Sequence, residues 1–153
     1  MKTILHHNQW VIIALLVAPF FAIGQNGSTI YSPAGVWLSE NGNEKIEIYE
    51  KDGKFNGIMV WMKDEYDENG NLKVDSKNPD EALRERPMVG VEILFGFKYT
   101  GNGWYTGGRI YDPGTGNTYA ARIKMVDETT AKIRGYVGIP LFGRSEVCTK
   151  VIE

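Results

Sequence analysis

Histidine and cysteine are nearly missing from this chain, and what they leave out narrows its chemistry. The two histidines, His6 and His7, both lie in the first two dozen residues, and Cys148 is the single cysteine. If that leading segment is removed on export, the working chain holds no imidazole. A Ser-His-Asp triad, a Cys-His pair and any histidine-ligated zinc or iron site are then excluded. One cysteine excludes an internal disulfide, even in an oxidising compartment. Cys148 is also too far from the start to carry a lipoprotein anchor, so it reads as a small buried hydrophobe near the last strand. Long apolar runs are equally scarce. The stretch WVIIALLVAPFFA, Trp10 to Ala22, is uncharged but short of the ~20 residues a membrane helix needs, and no second run follows. Internal repeats, low-complexity tracts and linkers rich in Pro, Gly or Ser are missing too, which leaves one domain with one core.

What is present begins with a leader. Lys2 gives a positive start, the apolar run follows, and Ala22 and Gly24 supply small residues before Gln25. This pattern predicts a secretory signal peptide over 1–24 and a single mature domain over 25–153, exported to the periplasm or secreted, with no stable membrane span after cleavage. Cleavage removes one cation, Lys2, and no acid, so the formal net charge of −2 becomes −3. That balance gives no reason to expect nucleic acid or an anionic membrane as a partner.

From Gly35 onward, short segments rich in Val, Ile, Tyr, Phe and Trp alternate with Gly, Asn and Asp clusters, the pattern of antiparallel strands. EKIEIYE alternates Ile46 and Ile48 with Lys45 and Glu47, giving one wet and one buried face. FNGIMVWMK is apolar on both, with Phe55, Met59 and Trp61 expected on one face, and Ile58, Val60 and Met62 on the other under some external cover. Eight strands follow from the count. Their short links predict an all-β, up-and-down antiparallel barrel, which leaves no exposed edge.

Between the third and fourth strands lies KNPDEALRERPMVG. Asn78 suits a helix N-cap, Pro79 the first helical position and Glu81 the place of a capping box, while Pro87 ends the segment. One short helix is predicted, with Leu83 and Met88 as its apolar contacts. Arg84 and Arg86 either clamp an anionic group at the barrel mouth or pair with Asp75, Asp80 or Glu85.

Two features at the ends of the barrel carry a resemblance. Gly35-Val36-Trp37 on the first strand and Arg144 on the last are similar to the Gly-x-Trp and Arg of lipocalins and their calycin relatives. That likeness implies an indole closing the base of the barrel with the guanidinium stacked over it. Over most of the chain the order GVWLSE, FNGIMVW, DSKNPDEALRERPMVG, WYTGGRIYDPGTGNTY, IRGYVGIPLFGR resembles the bacterial exported proteins of domain-of-unknown-function family 2147. The chain departs from the family at Cys148, where relatives often carry an aromatic residue. The resemblance implies a small, envelope-located, lipocalin-like barrel and no agreed activity.

Candidate ligand contacts follow from composition. Trp61, Phe97, Trp104 and Tyr111 could line a pocket for a small apolar or amphipathic ligand, with Arg84 and Arg86 at its rim, or they could be packed core. Phe95, Phe97 and Tyr99 are expected to share one face. Arg109, Arg122 and Arg134 favour an anionic head group if they point inward and are ordinary solvated charges if they point outward. DEYDENGNLKVDS resembles part of a calcium loop, but Ser76 stands where a bidentate Glu is required, so an Asn-Gly surface turn is expected, with no metal and no cofactor. No catalytic set emerges. The leading expectation is a ligand-binding barrel; the alternatives are a structural or interaction module with a packed core and a carboxylate-dependent hydrolase.

Overall fold

The computed structural model describes residues 29–152. The segments β1 (Gly35–Leu38), β2 (Glu44–Lys51), β3 (Lys54–Met62), β4 (Glu92–Gly101), β5 (Trp104–Asp112), β6 (Asn117–Met125), β7 (Thr130–Tyr136) and β8 (Gly143–Lys150) each pair with the next. Antiparallel pairing of β1 with β8 closes the barrel in simple up-and-down order. The eight strands and their order are those read from the sequence. The signal-peptide reading, with His6 and His7, lies outside the described residues. No helix among them is long and apolar enough to cross a membrane.

Alternation along each strand sends one set of side chains into the barrel. Trp37, Ile46, Ile48, Met59, Phe97, Tyr105, Ile123 and Ile133 are all buried in a single cluster. Glycines let large partners reach across the lumen. A Cβ on Gly108 would meet the Phe97 ring at 2.5 Å, one on Gly57 would meet Leu94 at 2.9 Å, and one on Gly135 would meet Ile110 at 3.1 Å. At these three levels side chains fill the barrel.

One end is closed by the chain entering β1. The Trp37 indole donates to the Pro33 carbonyl at 2.7 Å, and the Tyr105 hydroxyl donates to the Tyr31 carbonyl at 2.9 Å. The cation over Trp37 is Lys150, whose Nζ lies 5.5 Å from the ring centroid. This corrects the expectation for Arg144. β8 pairs Lys150 with Trp37, whereas Arg144 pairs with Gly135 at the other end of that strand. Gly35 keeps its place for a related reason: its φ is +132°, and a Cβ there would meet Lys150 Cε at 2.7 Å.

The expected helix is a single 3₁₀ turn, Glu81–Leu83, and its cap is Asp80, which accepts from the Ala82 amide at 3.0 Å. Asn78 is used otherwise. Its Oδ1 accepts from the Asp80 amide and its Nδ2 donates to Asp75. Met88 packs against the core, while Leu83 remains 37% exposed.

Candidate functional site

The ligand contacts expected from the sequence do not share one cavity. Phe97 is inside, wedged over Gly108. Trp61 is turned outward because the β2–β3 register slips between Lys45 and Ile46. Ile46 pairs with Met59, Lys45 pairs with Trp61, and the intervening Val60 shifts the alternation. Trp61 is therefore 38% exposed beneath the Lys45 ammonium. A second irregularity at Gly96, with φ +75°, splits the expected row of aromatics. It lets Phe97 face in while Phe95 pairs with the exposed Arg109.

Tyr111 is also on the outer face. Its neighbour Ile110 lies against Gly135 inside, and Tyr111 itself pairs with the exposed Thr118. The β3–β4 connection covers it. Asp75, fully buried, accepts from the Tyr111 hydroxyl at 2.6 Å, from Asn78 Nδ2 at 2.7 Å, and from Arg86 Nε and Nη2 at 3.1 and 2.8 Å. Burial pushes the Asp75 carboxyl up, but these donors outweigh it and hold the group below its ordinary range. Burial, then the bond to Asp75, drive the Tyr111 phenol up to about 12. Arg84 pairs with Glu81 at 3.1 Å and donates to the Asn78 carbonyl at 2.8 Å. Both arginines thus serve their own connection, which is tied to the β5–β6 turn by Lys77 Nζ donating to the Gly114 carbonyl.

Asp67 likewise serves its own turn, accepting from the Asn69 and Asn71 amides at 2.9 and 2.8 Å. At the barrel mouth Glu44 is pushed up by burial, then by Glu146 and Asp112. Cys148 is buried, and that burial, with Glu146, Glu40 and Glu44 nearby, drives its thiol up to about 12.

The arrangement with the clearest binding chemistry is on the outside, on the β6–β7 hairpin. Ala121, Ile123 and Met125 on β6 and Ala131 and Ile133 on β7 are buried, so Arg122, Lys124, Lys132 and Arg134 point outward. The hairpin register then sets Arg122 opposite Arg134 and Lys124 opposite Lys132. Asp127 holds that register by accepting from the Thr129 amide at 2.8 Å and its hydroxyl at 3.0 Å, and these bonds keep its carboxyl low. Like charges directly opposite each other destabilise a sheet. Two such pairs side by side make a block of four cations. Among the described residues the ion pairs are Arg84–Glu81 and Arg86–Asp75, so no carboxylate neutralises the block.

Trp104 completes it. The Arg122 guanidinium carbon lies 4.5 Å and the Lys124 ammonium 5.2 Å from the indole centroid. Buried Arg122 Nε has no hydrogen-bond partner among the described residues. Arg134 reaches the β7–β8 loop, donating Nε to the Pro140 carbonyl at 2.6 Å, Nη2 to the Leu141 carbonyl at 3.1 Å and Nη1 to Ser145 Oγ at 2.8 Å. The result is a groove of about 560 Å³ with an indole wall, four cations and the apolar edge of Pro140 and Leu141. It can bind an anion and cover an apolar group. The outward direction of Arg122 and Arg134 was one of two sequence readings; their partnership with Trp104 was missed. The alternating ARIKM and AKIRG, separated by an Asp-Glu turn, carried that signal.

The closed, filled, eight-stranded up-and-down barrel places the protein in the lipocalin-like class. The chain belongs to DUF2147, described as uncharacterized proteins conserved in bacteria, whose profile matches residues 35–150. Among solved structures it is similar to HP1028 of Helicobacter pylori, described as a lipocalin-family protein, with 21% identity and a TM-score of 0.70 over 80% of this chain and 85% of that one. That likeness concerns the fold. No curated protein matches the sequence.

Proposed function

We propose that this is an exported, non-catalytic binding barrel whose ligand is a small amphipathic anion held on the outer face. The observation that carries the proposal is the pair of like-charge cross-strand contacts, Arg122–Arg134 and Lys124–Lys132, with no acid in the groove they form. Such a block costs stability in the free protein, and a carboxylate or phosphate would relieve it. Trp104 supplies a flat apolar surface beside the charge, which suits an amphiphile better than a bare ion. The apolar run at Trp10 to Ala22 supports export.

Titration of tryptophan fluorescence with decanoate, decyl phosphate and decanol tests the proposal. The two anions are expected to change the emission, and Trp104→Phe to remove the change. Arg122→Gln should weaken binding at least tenfold, as loss of a charged hydrogen bond does. Equal binding of decanol, or no response to either anion, would overturn it. A second reading, an interaction module with no interior ligand, is favoured by the filled levels at Gly57, Gly108 and Gly135. Native mass spectrometry of the protein recovered from its own cell envelope tests that reading: a retained small molecule that survives Arg122→Gln would contradict it.

A further inference from the structure

Beside the groove, the β7–β8 loop presents Val137, Ile139, Leu141 and Phe142 to solvent at 66, 54, 75 and 68% exposure. Four large apolar side chains within six residues, none of them covered, mark a contact surface rather than scattered surface apolarity. The loop backbone is organised from within. Val137 N donates to the Phe142 carbonyl at 3.1 Å and Phe142 N to the Ile139 carbonyl at 3.0 Å, while Arg134 takes the Pro140 and Leu141 carbonyls. Backbone groups satisfied this way can leave water at a smaller cost, so the loop tip is suited to an apolar medium.

Resting on the anionic-amphiphile reading above, we infer that this face docks on an anionic phospholipid membrane surface, with Leu141 and Phe142 entering the interface and Arg122, Lys124 and Lys132 meeting the head groups. Charge complementarity singles out this occupant. The cations lie immediately beside the apolar tip, matching the order of acyl chain and phosphate in a leaflet, and Trp104, paired with Lys124, flanks them on the side away from the loop. The formal net charge of the whole chain conceals this. Its acids lie elsewhere, and none lines the groove.

Co-sedimentation with vesicles of phosphatidylcholine, alone or mixed with phosphatidylglycerol, tests the docking. Soluble dihexanoylphosphatidylglycerol, followed by Trp104 fluorescence, tests the underlying reading separately. The protein is expected to sediment with the anionic vesicles and to be released by salt. Arg122→Gln with Lys132→Gln should weaken vesicle binding about 25-fold, from the usual contribution of a basic residue near an anionic leaflet. Ile139→Ser with Phe142→Ser, both outside the groove lining, should abolish sedimentation and leave the response to the soluble lipid intact. A response to soluble lipid without vesicle binding would overturn the docking and keep the ligand reading; loss of both would remove both. Equal binding to neutral vesicles, or unchanged binding by the loop variant, would also overturn the docking. So would a dimer in sedimentation velocity that the loop variant dissolves, in the absence of vesicle binding, since the patch would then serve a second copy of this chain.

Discussion

The Tyr111 hydroxyl lies 2.6 Å from the Asp75 carboxylate, joining a strand of the barrel to the connection that covers its outer face. Both partners are buried, so the pair should govern whether the connection stays down. Tyr111→Phe removes one hydrogen bond to a charged acceptor and is expected to cost about 1.5–3 kcal/mol in denaturant unfolding. Asp75→Ala strands four donor groups on three residues and should cost more. A loss below about 0.5 kcal/mol for Tyr111→Phe would show the bond to be incidental.

The same pair predicts two pH limits. Asp75 is held below its ordinary value of 3.8, so its contribution is present above that value and is lost as pH falls through the lower folded-state one. Tyr111 is raised from 10.0 to about 12, so its contribution is present below pH 10.0 and is lost as pH rises toward about 12. Melting temperatures followed across both limits should fall in the Tyr111→Phe variant less steeply at the alkaline end than in the parent protein.

At the closed end, Lys150→Met keeps the side-chain stem over Trp37 and removes the charge, which should cost about 0.5–1 kcal/mol. Gly35→Ala strains a backbone at φ +132° and pushes Lys150 aside, for about 1–3 kcal/mol. Arg144→Ala, remote from the indole, should stay within about 0.5 kcal/mol and leave the near-UV signal of Trp37 unchanged.

Glu44 is disfavoured as an anion by burial and then by Glu146. With its folded-state value above 4.5, its proton is held more tightly in the folded chain, so stability falls as pH rises through that value. Glu44→Gln should therefore raise the melting temperature at pH 7, with the gain vanishing below pH 4.5. A gain that is the same at both pH values would trace to packing instead.

Cys148 is 1% exposed and its thiol is driven up to about 12, so the reactive thiolate is scarce. Iodoacetamide at pH 8 is expected to leave the folded protein unmodified and to label it fully in denaturant, as read by intact mass. Rapid labelling of the folded chain would contradict the burial.

The strand pattern was legible because its period is short and local. Ile46 and Ile48 against Lys45 and Glu47 need only their neighbours to declare a half-buried strand. The site was harder to read for two physical reasons. A one-residue slip reverses the faces of everything beyond it, so the β2–β3 irregularity moved Trp61 outward and that at Gly96 divided Phe95 from Phe97. Pairing across strands also decides which charges meet. Asp75 found Tyr111 across 36 positions of chain, and Lys150 took the place over Trp37 expected of Arg144 because the β1–β8 register put it there.

That register has a consequence for the order of events in making the protein. Trp37 lies on the first strand, and the strand that closes over it ends at Lys150, with the Val151 amide donating to the Val36 carbonyl at 2.8 Å. Until β8 is added, a growing chain holds two open sheet edges, on β1 and β7, and an indole without its cation. The barrel therefore closes only once residues 143–151 are in place, and removing them should leave a chain recognised as unfinished.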